Sequence, residues 1–141
     1  MIESLSEFKS ICREAFQFLI MNYGFQELNG LNPKHINQYQ VRFGKGVVEI
    51  LILGEGYGTI ANIEYVTADG IEVATQMLEP DWEPFKKRKK PKKTMPSQRD
   101  QIILAAERIK ERDKDILIGD YTRLNIAADR WVKVKSKMGW K

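Results

Sequence analysis

The sequence predicts an α+β fold: an antiparallel meander of four to five strands, with an N-terminal helix and C-terminal helices packed on one face. Three features of the apolar pattern carry that expectation. Apolar residues recur at helical spacing from Leu5 to Ile20, alternate with polar ones from Tyr39 onward, and return to helical spacing beyond Ser97. The middle block contains only short turn signals, so its strands follow one another as hairpins and not as βαβ units.

Ser4 and Glu7 stand in the S-x-x-E relation of a capping box, and Leu5, Phe8, Ile11, Cys12, Ala15, Phe16, Leu19 and Ile20 follow on one face. A first helix is therefore expected over 5–22, ended by Gly24, with a short strand starting at Phe25. Asn29-Gly30 and Asn32-Pro33 mark a loop. Tyr39, Val41 and Phe43 share a strand face, and Gly44-Lys45-Gly46 turns the chain into a second run over 47–53. Further strands are expected over 59–67 and, after the Asp69-Gly70 turn, over 71–77.

Pro80, Pro84, Pro91 and Pro96 then break the pattern, so residues 80–96 read as an exposed connector within a single domain spanning 1–141. Ser97 caps a helix whose inner side carries Ile102, Ile103, Ala106 and Ile109. A shorter helical stretch over 113–118 stops at Gly119, and residues 122–134 offer Leu124, Ile126, Ala127, Ala128 and Trp131. Trp131 is expected in the core. The tail from Val132, with alternating Val132, Val134, Ser136 and Met138, reads as a strand-like or amphipathic end, and Trp140 as an exposed or contact residue.

Composition narrows the function classes. A chain of 141 residues with 43% apolar and 10% aromatic content can bury one core without a metal or disulfide staple. Its longest apolar runs, such as Ile50 to Leu53, are too short to span a bilayer. Charged residues through the first helix argue against a signal peptide. Cys12, the single cysteine, sits among Ile11, Ala15 and Phe16 and reads as a buried thiol in a reducing, cytoplasmic compartment.

The net charge of +4 conceals an asymmetry. Residues 1–85 carry 5 basic and 12 acidic groups, whereas Lys86, Lys87, Arg88, Lys89, Lys90, Lys92 and Lys93 fall within eight positions, and residues 130–141 carry 5 basic groups and no acid. The 86–93 run attracts polyanions. Were all seven cations to meet phosphates on a duplex, log K would fall with log salt with a slope of roughly −6. Trp82 and Phe85 beside it are placed to stack on unpaired bases. A nuclear-import signal and a plainly solvated loop are the other readings of the same run.

Other candidate motifs carry less. Gly54-Glu55-Gly56-Tyr57-Gly58 has the density of a phosphate-binding loop, but no helix begins at its glycines and no kinase catalytic motif exists elsewhere. It reads as a hairpin turn needing positive φ. His35, the single histidine, lies in a loop without the histidine or cysteine cluster of a zinc motif. Asp113 and Asp115, alternating with Lys114, read as a solvated helix end. No catalytic residue, metal ligand or cofactor is assigned from the sequence.

The amphipathic first helix ending in Tyr23-Gly24-Phe25, the meander, and the late Leu117-Ile118-Gly119-Asp120-Tyr121 turn together resemble small stand-alone bacterial α+β proteins, some of which are toxin-immunity proteins. That resemblance implies inhibition of a partner by occlusion, through an acidic face such as Glu49, Glu55, Glu64 and Glu72 offer. The basic 86–93 run departs from the pattern. Three functional readings follow: a non-catalytic protein-binding module, immunity-like in its action; a nucleic-acid-binding accessory protein using the basic run; and a small enzyme with a pocket invisible to sequence.

Overall fold

The computed structural model describes residues 4–79, 82 and 96–139. Lys86, Lys87, Arg88, Lys89, Lys90, Lys92 and Lys93, with Phe85, most of the expected connector and Trp140, lie outside the described residues. The chain forms α1 (Leu5–Ala15), α2 (Gln17–Tyr23), β1 (Gln26–Leu28), β2 (Gln40–Lys45), β3 (Val48–Glu55), β4 (Ile60–Val66) and β5 (Glu72–Ala74). A single 3-10 turn (Thr75–Leu78) precedes α3 (Gln98–Arg112), α4 (Lys114–Leu117) and α5 (Thr122–Lys137). This is the expected α+β arrangement, with a five-stranded sheet in the order β1-β2-β3-β4-β5 and every pairing antiparallel.

Local chemistry sets the boundaries. Ser4 Oγ accepts from the Glu7 amide at 3.0 Å, capping α1, and Gly24 takes the left-handed φ of 76° that ends α2. The expected continuous first helix is broken at Phe16, whose φ of −103° and ψ of 13° leave the helical region. The break keeps Phe8, Cys12, Phe16 and Leu19 all buried in one core. The expected last strand shortens to three residues before the 3-10 turn, and the tail, read as a strand-like or amphipathic end, continues as helix to Lys137.

Register explains the two faces of the sheet. Val41, Ile52 and Ile63 are cross-strand partners, as are Phe43, Ile50, Tyr65 and Val73, and this face packs under the helices with Phe8, Ile102, Ile109 and Leu124. Gly54 at the end of β3 allows that approach. A Cβ there would stand 2.8 Å from the Phe8 ring and 2.9 Å from Gln98 Nε2. The other face is also closed at its centre, because Leu51 and Leu53 of the middle strand are fully buried although they alternate with the core residues.

The covering element is the segment between β1 and β2, residues 29–39. Gln40 organises it: its Oε1 accepts from the Asn32 amide at 2.8 Å, and its Nε2 donates to the carbonyls of His35 at 3.1 Å and Asn37 at 2.7 Å. Asn37 Nδ2 donates to the Gly54 carbonyl at 2.6 Å, and Lys34 Nζ to the Gly70 carbonyl at 2.7 Å. The segment is thereby stitched across the back of the sheet. Among the described residues, no helix is long and apolar enough to cross a membrane.

Candidate functional site

The back face of the sheet concentrates the acids. Alternation along β3, β4 and β5 places Glu49, Glu55, Glu64 and Glu72 on that one side, as an acidic face requires. The covering segment, however, partners two of them internally, Glu49 and Glu72, with Arg42 of β2 adding to the first. Arg42 Nη2 donates to Glu49 at 2.7 Å, and Asn32 Nδ2 reaches the other Glu49 oxygen at 3.3 Å. Glu72 receives His35 Nε2 at 2.9 and 3.0 Å from its two oxygens. Glu55 stands exposed at the hairpin end, accepting from Asn62 at 2.6 Å.

Glu64 differs from the other three. Its Oε2 is buried from solvent and no hydrogen-bond donor reaches it. Its polar neighbour is a second carboxyl, that of Glu72. Burial first, then the hydrogen bond to Glu72 and the Glu72 charge, push the Glu64 carboxyl up to about 8. Burial alone would raise Glu72 as well, but the hydrogen bonds from Glu64 and His35 outweigh it and hold Glu72 below its ordinary 4.5. At neutral pH the pair therefore keeps one proton on Glu64, shared toward an ionised Glu72, while His35 Nε2–H faces the same carboxylate.

This cluster opens into a cavity of about 530 Å³ bordered by Lys34, Asp69, Met77, Trp131 and Lys135 besides the two glutamates. Trp131, expected in the core, instead lies half-buried at this rim, with its ring 6.2 Å from that of Trp82 in an edge-on contact. Arg130 fastens Trp82 further: its guanidinium sits 5.3 Å from the ring centroid, and Nη2 donates to the Trp82 carbonyl at 2.9 Å. Trp82 is thus engaged within the fold.

The glycine-rich stretch folds as the expected turn. Gly56 and Gly58 take φ of 60° and 84°, but so does the residue between them: Tyr57 has φ of 56° and is 99% exposed. The left-handed region costs a residue with a Cβ roughly 1–2 kcal/mol. Ile36, 96% exposed, precedes the Asn37 that bonds Gly54, so the apex of the covering segment and the hairpin tip share one end of the sheet.

Sequence reasoning passed over His35 as an isolated loop residue and treated Glu64 and Glu72 as surface charge. The alternation of β4 does mark Glu64 as lying opposite Ile63 and Tyr65. What no pattern reveals is that the segment carrying His35 folds back over β4 and β5. No protein-family model, curated protein or solved structure matches this chain.

Proposed function

We propose that this chain is a non-catalytic protein-binding module whose contact surface is centred on the β3–β4 hairpin tip. The observation that supports the reading is Tyr57. A large aromatic side chain is held out to solvent in a left-handed conformation, between two glycines that would adopt it at no steric cost. Tyrosine brings large contact area with few rotors to fix, which makes it an effective anchor at protein interfaces. Ile36 extends the apolar surface at the same end, and Glu55 sets a negative charge beside it.

The partner this surface fits is a protein with an apolar pocket for Tyr57 and basic groups opposite Glu55. Occlusion of a toxin's working surface, as the immunity-like resemblance implies, is one form of such a contact. Of the acids Glu49, Glu55, Glu64 and Glu72, the reading takes Glu55 as the contact residue, because Glu49 and Glu72 are paired within the fold and Glu64 has a buried oxygen. Affinity capture from host lysate in the presence of nuclease tests the reading. A stoichiometric protein should be captured by the parent chain and lost with Tyr57→Gly, a substitution the turn accepts. Equal capture by both would contradict it.

A second reading, nucleic-acid binding, has its own supporting observation. The basic 86–93 run begins four residues after Trp82, and Trp82 is fastened to α5, the helix that carries Arg130, Lys133, Lys135 and Lys137. Trp82, four residues before the one basic segment in sequence, is thus held against the helix that carries the other. Binding of a single-stranded oligonucleotide through the run would weaken with salt with a log–log slope of about −5. A flat salt response would remove this reading.

A further inference from the structure

Independently of either reading, we infer that His35, Glu64 and Glu72 form a binding site for a first-row divalent transition metal ion, zinc foremost. The ligand atoms these residues offer all lie within 4.8 Å of one another. Zinc bonds of about 2.0–2.2 Å place neighbouring ligand atoms of a tetrahedral site roughly 3.3 Å apart. The 2.9 Å separation of His35 Nε2 and Glu72 is already close to that spacing, so assembly needs only side-chain adjustment. An imidazole nitrogen with two carboxylate oxygens suits zinc and its neighbours, whereas magnesium and calcium favour all-oxygen sets.

A separate observation is an unpartnered oxygen. Glu64 Oε2 is buried and receives no hydrogen bond, and the group beside it is another carboxyl. A buried acceptor without a donor is costly, and a second carboxylate makes it more so. A proton is the smallest cation that relieves this arrangement; a divalent ion relieves both carboxylates at once and uses the orphaned oxygen. Glu64 and Glu72 line the 530 Å³ cavity, which supplies the entry path. Three protein ligands leave one coordination position for water. The ion would clip the covering segment, through His35, to β4 and β5.

Calorimetric titration of tag-free, metal-stripped protein with zinc tests the assignment. The expected result is saturable binding of one zinc per chain. Glu64→Gln preserves the shape of the protonated acid and its hydrogen bond to Glu72 while removing a ligand, so it should fold as the parent does and bind zinc at least about 10–100-fold more weakly. His35→Gln, on the loop outside the sheet, provides the same discrimination should the first variant fail to fold. Absence of saturable zinc uptake by the parent, or binding undiminished in both variants, would overturn the site.

Discussion

Two clusters of charge sit inside this small protein, and they are built on opposite principles. Between the helices, Asp113 is completely buried yet fully partnered. It accepts from Arg112 at 2.7 and 2.9 Å, from Arg123 at 2.7 Å, and from the Tyr65 hydroxyl at 2.7 Å. Arg112 also reaches Glu79 at 2.6 Å, and Arg123 reaches Asp115 at 2.8 Å. On the back of the sheet, His35 pairs with Glu72 alone, and one Glu64 oxygen has no donor. The first cluster ties α3, α4 and α5 to β4. The second leaves one buried acceptor without a donor and faces a cavity. A charge network that completes itself is a fastening; one that stays incomplete is open to a proton or a ligand.

The largest expected effect lies in the completed network. Asp113→Ala leaves two guanidinium groups and a buried hydroxyl without their acceptor, and should cost about 3–5 kcal/mol in urea unfolding. A loss below about 1 kcal/mol, the scale of a surface pair, would reduce the cluster to surface ion pairing. Tyr65→Phe removes one donor from the same carboxylate while keeping the ring in the core, and should cost about 1–3 kcal/mol by the same measurement.

The incomplete cluster should show itself through pH and not through raw stability. Between the ordinary 4.5 of an unfolded glutamate and about 8 in the folded chain, native Glu64 holds a proton that the unfolded chain releases. Its contribution is therefore fully present below 4.5 and is lost as pH rises toward 8. Glu72, held below its ordinary value, acts oppositely: its contribution is present above 4.5 and lost as pH falls through its folded value. Unfolding of the metal-stripped protein across the 4.5 to 8 window should thus show stability declining with pH, a slope that Glu64→Gln abolishes. An identical slope in both proteins would count against the shared proton. The smallest expected effect is that of Tyr57→Gly, where relief of the left-handed side chain and the added freedom of glycine offset each other to within about 1 kcal/mol.

The fold was more legible in the sequence than the site. The Ser4 cap, the Gly24 stop and the alternation through Val41 and Phe43 depend on residues close in the chain, where the hydrogen bond or the buried face is set locally. The break at Phe16 is not of that kind, since its cause is the shape of the core that Phe8, Phe16 and Leu19 must share. Trp131 departs from expectation for a similar reason: helical spacing gives its side of α5, but the Trp82 ring that meets it at the rim comes from a segment far earlier in the chain. Leu51 and Leu53 carried a hint in the unbroken apolar run of β3, the mark of a strand covered on both faces. Nothing local identifies the cover as residues 29–39, and without that cover His35, Glu64 and Glu72 are three unrelated polar residues.

Carboxyl-carbon NMR of the metal-stripped protein, following Glu64 through a pH titration, tests most directly whether the back-face cluster holds a proton on its unpartnered acid. Glu64 should titrate near 8, with Glu72 already ionised below 4.5. Titration of Glu64 near 4.5, as for a solvated glutamate, would contradict the distinction between the two clusters.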